Sequence, residues 1–110
     1  MPNLLILPKP ASMLNGHGLA KDNDGNIYFT FQPTAVDQTT RVLVKFNPDG
    51  TGGVLLGDDN RLAFGVPHGL RIRTELDGNQ YLYHSNNDAI VHKTYLNGTL
   101  IWTANEVRLR

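Results

Sequence analysis

Two stretches of this chain carry the same pattern of apolar and polar positions. One begins at His17 and reads HGLAKDNDGNIYFTF; the other begins at His68 and reads HGLRIRTELDGNQYLYH. Each opens on His-Gly-Leu, passes a polar segment, and turns at Asp24-Gly25 or Asp77-Gly78. Each then enters a β-type run, NIYFTF or NQYLYH. A third run follows, Arg41 to Phe46 or Ile90 to Leu96, and ends at Asp49-Gly50 or Asn97-Gly98. A last apolar run, GVLLG or TLIWT, closes each unit. Asp-Gly and Asn-Gly between β-type runs are hairpin signals, because a type I′ turn needs positive φ at both central residues.

The pattern therefore predicts an all-β chain of short antiparallel strands, four in each unit. They are expected near residues 17–21, 26–31, 41–47, 53–57, 68–73, 79–84, 90–96 and 99–103, with a further short strand at Leu4 to Leu7. No long segment shows apolar spacing of helical period with caps. The units differ mainly in their loops: QPTAVDQTT lengthens one in the first copy, where Pro33 bars a continuous strand. A four-stranded antiparallel unit repeated at this interval is the signature of a β-propeller blade. The whole of 1–110 then reads as a partial propeller, with blade-like repeats at 16–57 and 67–103. Tyr28, Tyr81, Tyr83 and Trp102 are expected to fill the space between blades.

These phrases resemble the NHL-type repeat: Asp-Gly-Asn-Ile-Tyr in the first copy, followed by VLVKFNPDGT, and PHGLRI with DGNQYLYHSNNDAIVHKTYLNGTLIWT in the second. The resemblance covers about Gly16 to Thr103 and implies blades of a propeller that is six-bladed when complete. It departs from the commonest pattern where the second strand ends, at Phe31-Gln32 and His84-Ser85, where many such repeats have Asp. Two blades alone leave apolar faces and strand edges open. The repeat thus implies further blades from a parent chain, or a homotrimer closing the ring, with a small self-contained β-domain as the remaining possibility.

Composition narrows the function classes. Ten basic and ten acidic residues give no net charge, which argues against capture by nucleic acid or an anionic membrane. There is no cysteine, so disulfides, thiol chemistry and Cys-ligated zinc are excluded. The N-terminal run Leu4 to Leu7 lacks the basic flank and length of a signal peptide. No stretch approaches the roughly 20 apolar residues of a membrane-spanning helix.

His17 and His68 are the sharpest chemical candidates. Each stands at the entrance to the innermost strand of its unit, where equivalent positions converge on a propeller axis. Neutral imidazole is a good ligand for zinc or another divalent metal. The sequence is similar here to the peptidylglycine α-hydroxyglycine amidating lyases, NHL-type propellers whose channel histidines hold a catalytic zinc. That resemblance implies metal ligation at His17 and His68 and at no other position. The competing reading is structural, with the histidines as fold signatures whose following glycines let inner strands crowd together. His84 is expected to end its strand beside the polar loop Ser85 to Asp88, and His92 to lie mid-strand, facing a neighbouring blade or solvent. Ser85 has no nucleophile elbow, and Asp22 to Asn26 lacks the series of an EF-hand.

Three functions are therefore expected in order. The first is a propeller module that binds a small-molecule ligand or protein partner through its loops or channel mouth. The second is a metal-dependent lyase or hydrolase built on the channel histidines. The third is a trimeric lectin-like ring.

Overall fold

The computed structural model describes residues 6–8 and 13–105. All eight expected strands form: β1 (Met13–Lys21), β2 (Ile27–Pro33), β3 (Leu43–Phe46), β4 (Val54–Leu56), β5 (Pro67–Thr74), β6 (Gln80–Asn86), β7 (Ile90–Thr94) and β8 (Leu100–Asn105). A single 3-10 turn at Arg61–Ala63 is the one helical element among the described residues. The strands make two antiparallel sheets, ordered β1-β2-β3-β4 and β5-β6-β7-β8. Each strand pairs with its sequence neighbour, as tight turns require. Of the strand expected at Leu4 to Leu7, Leu4 and Leu5 lie outside the described residues, and Ile6 and Leu7 are not in a strand.

The turns are not type I′. In all four the glycine amide donates three residues back, to Asp22, Asn47, Glu75 or Tyr95, and that residue's own amide donates to the residue after the glycine. Only the glycines, Gly25, Gly50, Gly78 and Gly98, have positive φ in these turns. This is a type I turn followed by a glycine bulge. The preceding Asp or Asn remains at negative φ, and its side chain does another task. Asp49, Asp77 and Asn97 each accept the amide two residues on, which closes the turn from the side-chain side.

Register assigns the faces. One row across the first sheet is Gly18–Thr30–Leu43–Leu56, and the next is Ala20–Tyr28–Lys45–Val54. These rows meet the second sheet, whose facing rows are Leu70–His84–His92–Thr103 and Ile72–Leu82–Thr94–Leu100. Tyr28, Leu43 and Leu82 are the buried centre of this joint, with Leu56, Leu70 and Ile72 packed around them. Tyr28 also donates its hydroxyl to Asp22 at 2.9 Å, which ties the first hairpin to the core.

The far face of the first sheet is a second core. Phe31, Val44 and Phe46 are buried there with Val42 and Ala63, and Leu7 packs against them. That face is covered, contrary to the expectation of two bare apolar faces. The far face of the second sheet is chemically different. Its central row is Arg71–Tyr83–Lys93–Trp102. Trp102 is exposed and Tyr83 half-buried, so neither fills a dry space between sheets as expected from the sequence. Tyr81 is buried on the same face, under the Lys93 ammonium, 4.4 Å from its ring centre.

Candidate functional site

Gly18 sets the approach of the two inner strands. A Cβ there would lie 2.7 Å from Leu70 Cβ, 2.8 Å from the Leu70 amide nitrogen and 2.9 Å from Thr30 Cγ2. Only glycine lets β1 and β5 come this close. The preceding residue in each strand-pair equivalent position is a histidine, and both histidines sit on bulges. The β1–β2 register passes from Gly16↔Phe31 to Gly18↔Thr30 and leaves His17 as the extra residue. The β5–β6 register passes from Pro67↔Asn86 to Gly69↔Ser85 and leaves His68 as the extra residue. A bulge kinks the strand and re-aims one side chain.

The result brings the two sequence candidates together. The His17 and His68 rings are stacked, with centroids 5.5 Å apart and planes 25° apart, and both residues are exposed. Two imidazoles, one from each sheet, thus stand side by side at the inner edge of the joint. Each can donate and accept a hydrogen bond or offer a nitrogen lone pair.

Zinc fits this pair only in part. Catalytic zinc takes three protein ligands converging on one point. Among the described residues no three His, Asp or Glu side chains are grouped to hold a metal ion. Stacked rings also present faces to each other, where chelation needs converging nitrogens.

His84 and His92 form a different pair, whose strands the sequence placed correctly but whose pairing and burial it did not foresee. His84 lies inside β6, which runs on through Ser85 and Asn86 where a polar loop was expected, and is 5 % exposed; His92, directly across from it on β7, is 6 % exposed. Both face the first sheet. Thr94 gives its hydroxyl proton to the Tyr95 carbonyl, 2.8 Å away, so it accepts from His84 Nε2 at 2.9 Å. That assigns the neutral tautomer with the proton on Nε2. Burial, with a smaller push from His92, lowers the His84 pKa to about 3. Burial likewise lowers His92, helped by Arg61 and opposed by Asp59, and its Nδ1 lies 2.8 Å from Thr103 Oγ1. Neutral, desolvated and hydrogen-bonded to threonines, these two are packing groups. Their alternation with Leu70 and Leu82 in the inward rows was the available signal.

The outward face of the second sheet carries a charged network. Lys93 bridges to Glu75 at 2.7 Å, and the Tyr83 hydroxyl donates to the same carboxylate. The hydrogen bonds from Lys93 and Tyr83 hold the Glu75 carboxyl below its usual range. The Tyr81 hydroxyl donates to Asp77. A scan against protein-family models and a search of curated proteins both return no match to this chain.

Proposed function

We propose that the chain is part of an NHL-type β-propeller and works as a binding module, gripping a ligand or partner group at the inner edge where His17 and His68 meet. The observation that supports it is the pairing itself. Two bulges at equivalent places turn two exposed imidazoles to the same spot, which packing alone does not require. In a closed propeller this spot is the channel mouth, and loops on such a scaffold are the usual place for recognition. Further blades would come from a parent chain or from other copies.

A metal-dependent lyase or hydrolase is the second reading, favoured by the presence of two imidazoles within reach of one ligand. It needs at least one more ligand from residues outside the described pair. The chemistry the metal would supply there is Lewis-acid activation of a bound water or carbonyl.

The four histidine ring signals in an NMR spectrum separate these readings. His84 and His92 serve as buried internal references. Small polar fragments, screened as a set, should move the His17 and His68 signals together and leave the other two in place. Zinc added alone should move them strongly only under the second reading. The proposal fails if no fragment or ion perturbs the pair selectively, or if His17→Ala with His68→Ala leaves all binding intact.

A further inference from the structure

The four hairpin turns share one backbone form, and the last departs from the other three in its side chains. It runs from Tyr95 to Thr99 and reads Tyr-Leu-Asn-Gly-Thr. In the other turns the Asn97 place is taken by Asp24, Asp49 or Asp77, and the Tyr95 place by Asp22, Asn47 or Glu75. Asp49 and Asp77 accept the amide two residues on just as Asn97 does, so the turn needs only the side-chain oxygen. The carboxamide nitrogen of Asn97 is surplus to the fold. Asn97-Gly98-Thr99 is also the chain's single Asn-x-Ser/Thr triplet, the acceptor sequence for an N-linked glycan.

The turn presents this triplet in a fixed form. The Tyr95 amide donates to the Thr99 carbonyl at 3.0 Å, and the Gly98 amide to the Tyr95 carbonyl at 2.9 Å. Asn97 Oδ1 accepts the Thr99 amide at 2.9 Å, which leaves Nδ2 as the atom for substitution. Gly98 is buried, and a Cβ on it would lie 2.8 Å from the Gly57 amide nitrogen. The turn therefore rests on the end of β4, while Asn97 itself is exposed. Tyr95 opens the same turn and is 50 % exposed. Its ring leans on that of Tyr81, with centroids 5.9 Å apart and planes tilted by 47°. Tyr81 is in turn buried beneath the Lys93 ammonium, so Tyr95 has a firm support and an open surface. A pyranose offers a face of C–H bonds that packs on an aromatic ring as other apolar groups do.

From these observations we propose that Asn97 is an acceptor for an N-linked glycan and that Tyr95 is the platform on which the first sugar docks. The donor is a lipid-pyrophosphate-linked oligosaccharide, and transfer takes place where the chain meets an oligosaccharyltransferase. Asn97 Nδ2 bonds to the anomeric carbon of the first sugar and loses one proton to a base of the transferase. The bond from that carbon to the pyrophosphate oxygen breaks, and the lipid pyrophosphate leaves with the electron pair. Asn97 follows β7 beyond the Leu82–Thr94 pair, whereas His68 lies by Asn86 at the other end of β6. The glycan thus leaves the paired histidines clear, and the inference stands apart from the function proposed for them.

The test uses the full chain, a purified single-subunit oligosaccharyltransferase and a dolichyl-pyrophosphate oligosaccharide. The intact mass should rise by one glycan, peptide mapping should place it on Asn97, and Asn97→Gln should take none. The unfolding midpoint of the glycosylated chain should exceed that of the bare chain by roughly 4 °C. Tyr95→Ala should accept the glycan and gain nothing from it. Proton NMR of the glycosylated, otherwise unmodified chain gives a second readout, with ring protons of the first sugar moved upfield by the Tyr95 ring current. It decides the matter should Tyr95→Ala fail to fold. No transfer, transfer to another residue, a midpoint unchanged or lowered by the glycan, an equal gain in Tyr95→Ala, or sugar signals at their free positions would each overturn the proposal.

Discussion

Acid should loosen the joint between the two sheets, and His84 sets the pH range. Its ordinary value is 6.5 and its folded value about 3. A histidine lowered by folding binds its proton more tightly in the unfolded chain. Stability is therefore intact above the unfolded value and declines as pH falls toward the folded one. Each pH unit below the unfolded value removes about 1.4 kcal/mol, so at about pH 5 the loss from His84 is roughly 2 kcal/mol. Small domains have about 5–15 kcal/mol in all, so this is a large fraction. It corresponds to a fall of roughly 10 °C in the unfolding midpoint. His92 is lowered in the same sense and adds to the effect. The lowered carboxylates, including Asp22, Glu75 and Asp77, weaken folding only at more acid pH, below their ordinary values near 4. Thermal unfolding followed by far-UV circular dichroism, at about pH 7.5 and about pH 5, measures the slope. His84→Gln keeps a donor for Thr94 but cannot titrate, and its slope should be shallower by most of the His84 share. A flat midpoint over this range in the unmodified chain, or an unchanged slope in His84→Gln, refutes the argument.

Two further tests address the joint itself. Gly18→Ala should destabilise by about 1–3 kcal/mol, since its Cβ would press on the Leu70 backbone; Gly69→Ala, which meets mainly the mobile Ser85 hydroxyl at 2.5 Å, should be milder, and urea titration of both ranks them. Leu82→Ala, at a fully buried position facing Tyr28 and Leu43, should lower stability by about 2–5 kcal/mol in the same titration, and a loss under 1 kcal/mol would mean that the sheets do not share a core.

The strands were legible because their signals are local. Alternating apolar residues and a glycine at every turn mark Ile27–Pro33 and Gln80–Asn86 within a residue or two of their observed ends. Turn type was not legible, since Asp24 and Asp49 favour more than one turn and the choice depends on strand register. The burial of His84 depends on the face its row with Leu70 and His92 takes in the assembled sheet, which no local stretch of sequence records. Trp102 looked like core because it is large and apolar, but position on an edge strand is a property of the sheet and not of the residue. His17 and His68 were singled out by repetition, by their place at the start of the innermost strands and by a family resemblance. Their bulges, which do the aiming, arise from pairing that no single strand records.

Among the described residues, the core on the far side of the first sheet is drawn from Leu7 to Ala63. The joint between the sheets needs Leu82 and Leu96 as well. A chain emerging from the ribosome therefore has the described members of one hydrophobic cluster available before β5 exists. Every described strand pair in either sheet joins neighbours in sequence, so the described strands of that early half close only short loops. The second sheet, by contrast, has its inward rows of Leu70, Ile72 and Leu82 waiting for a surface that is already in place. Synthesis thus runs in the productive direction: the first half forms a template, and the second condenses on it as it arrives.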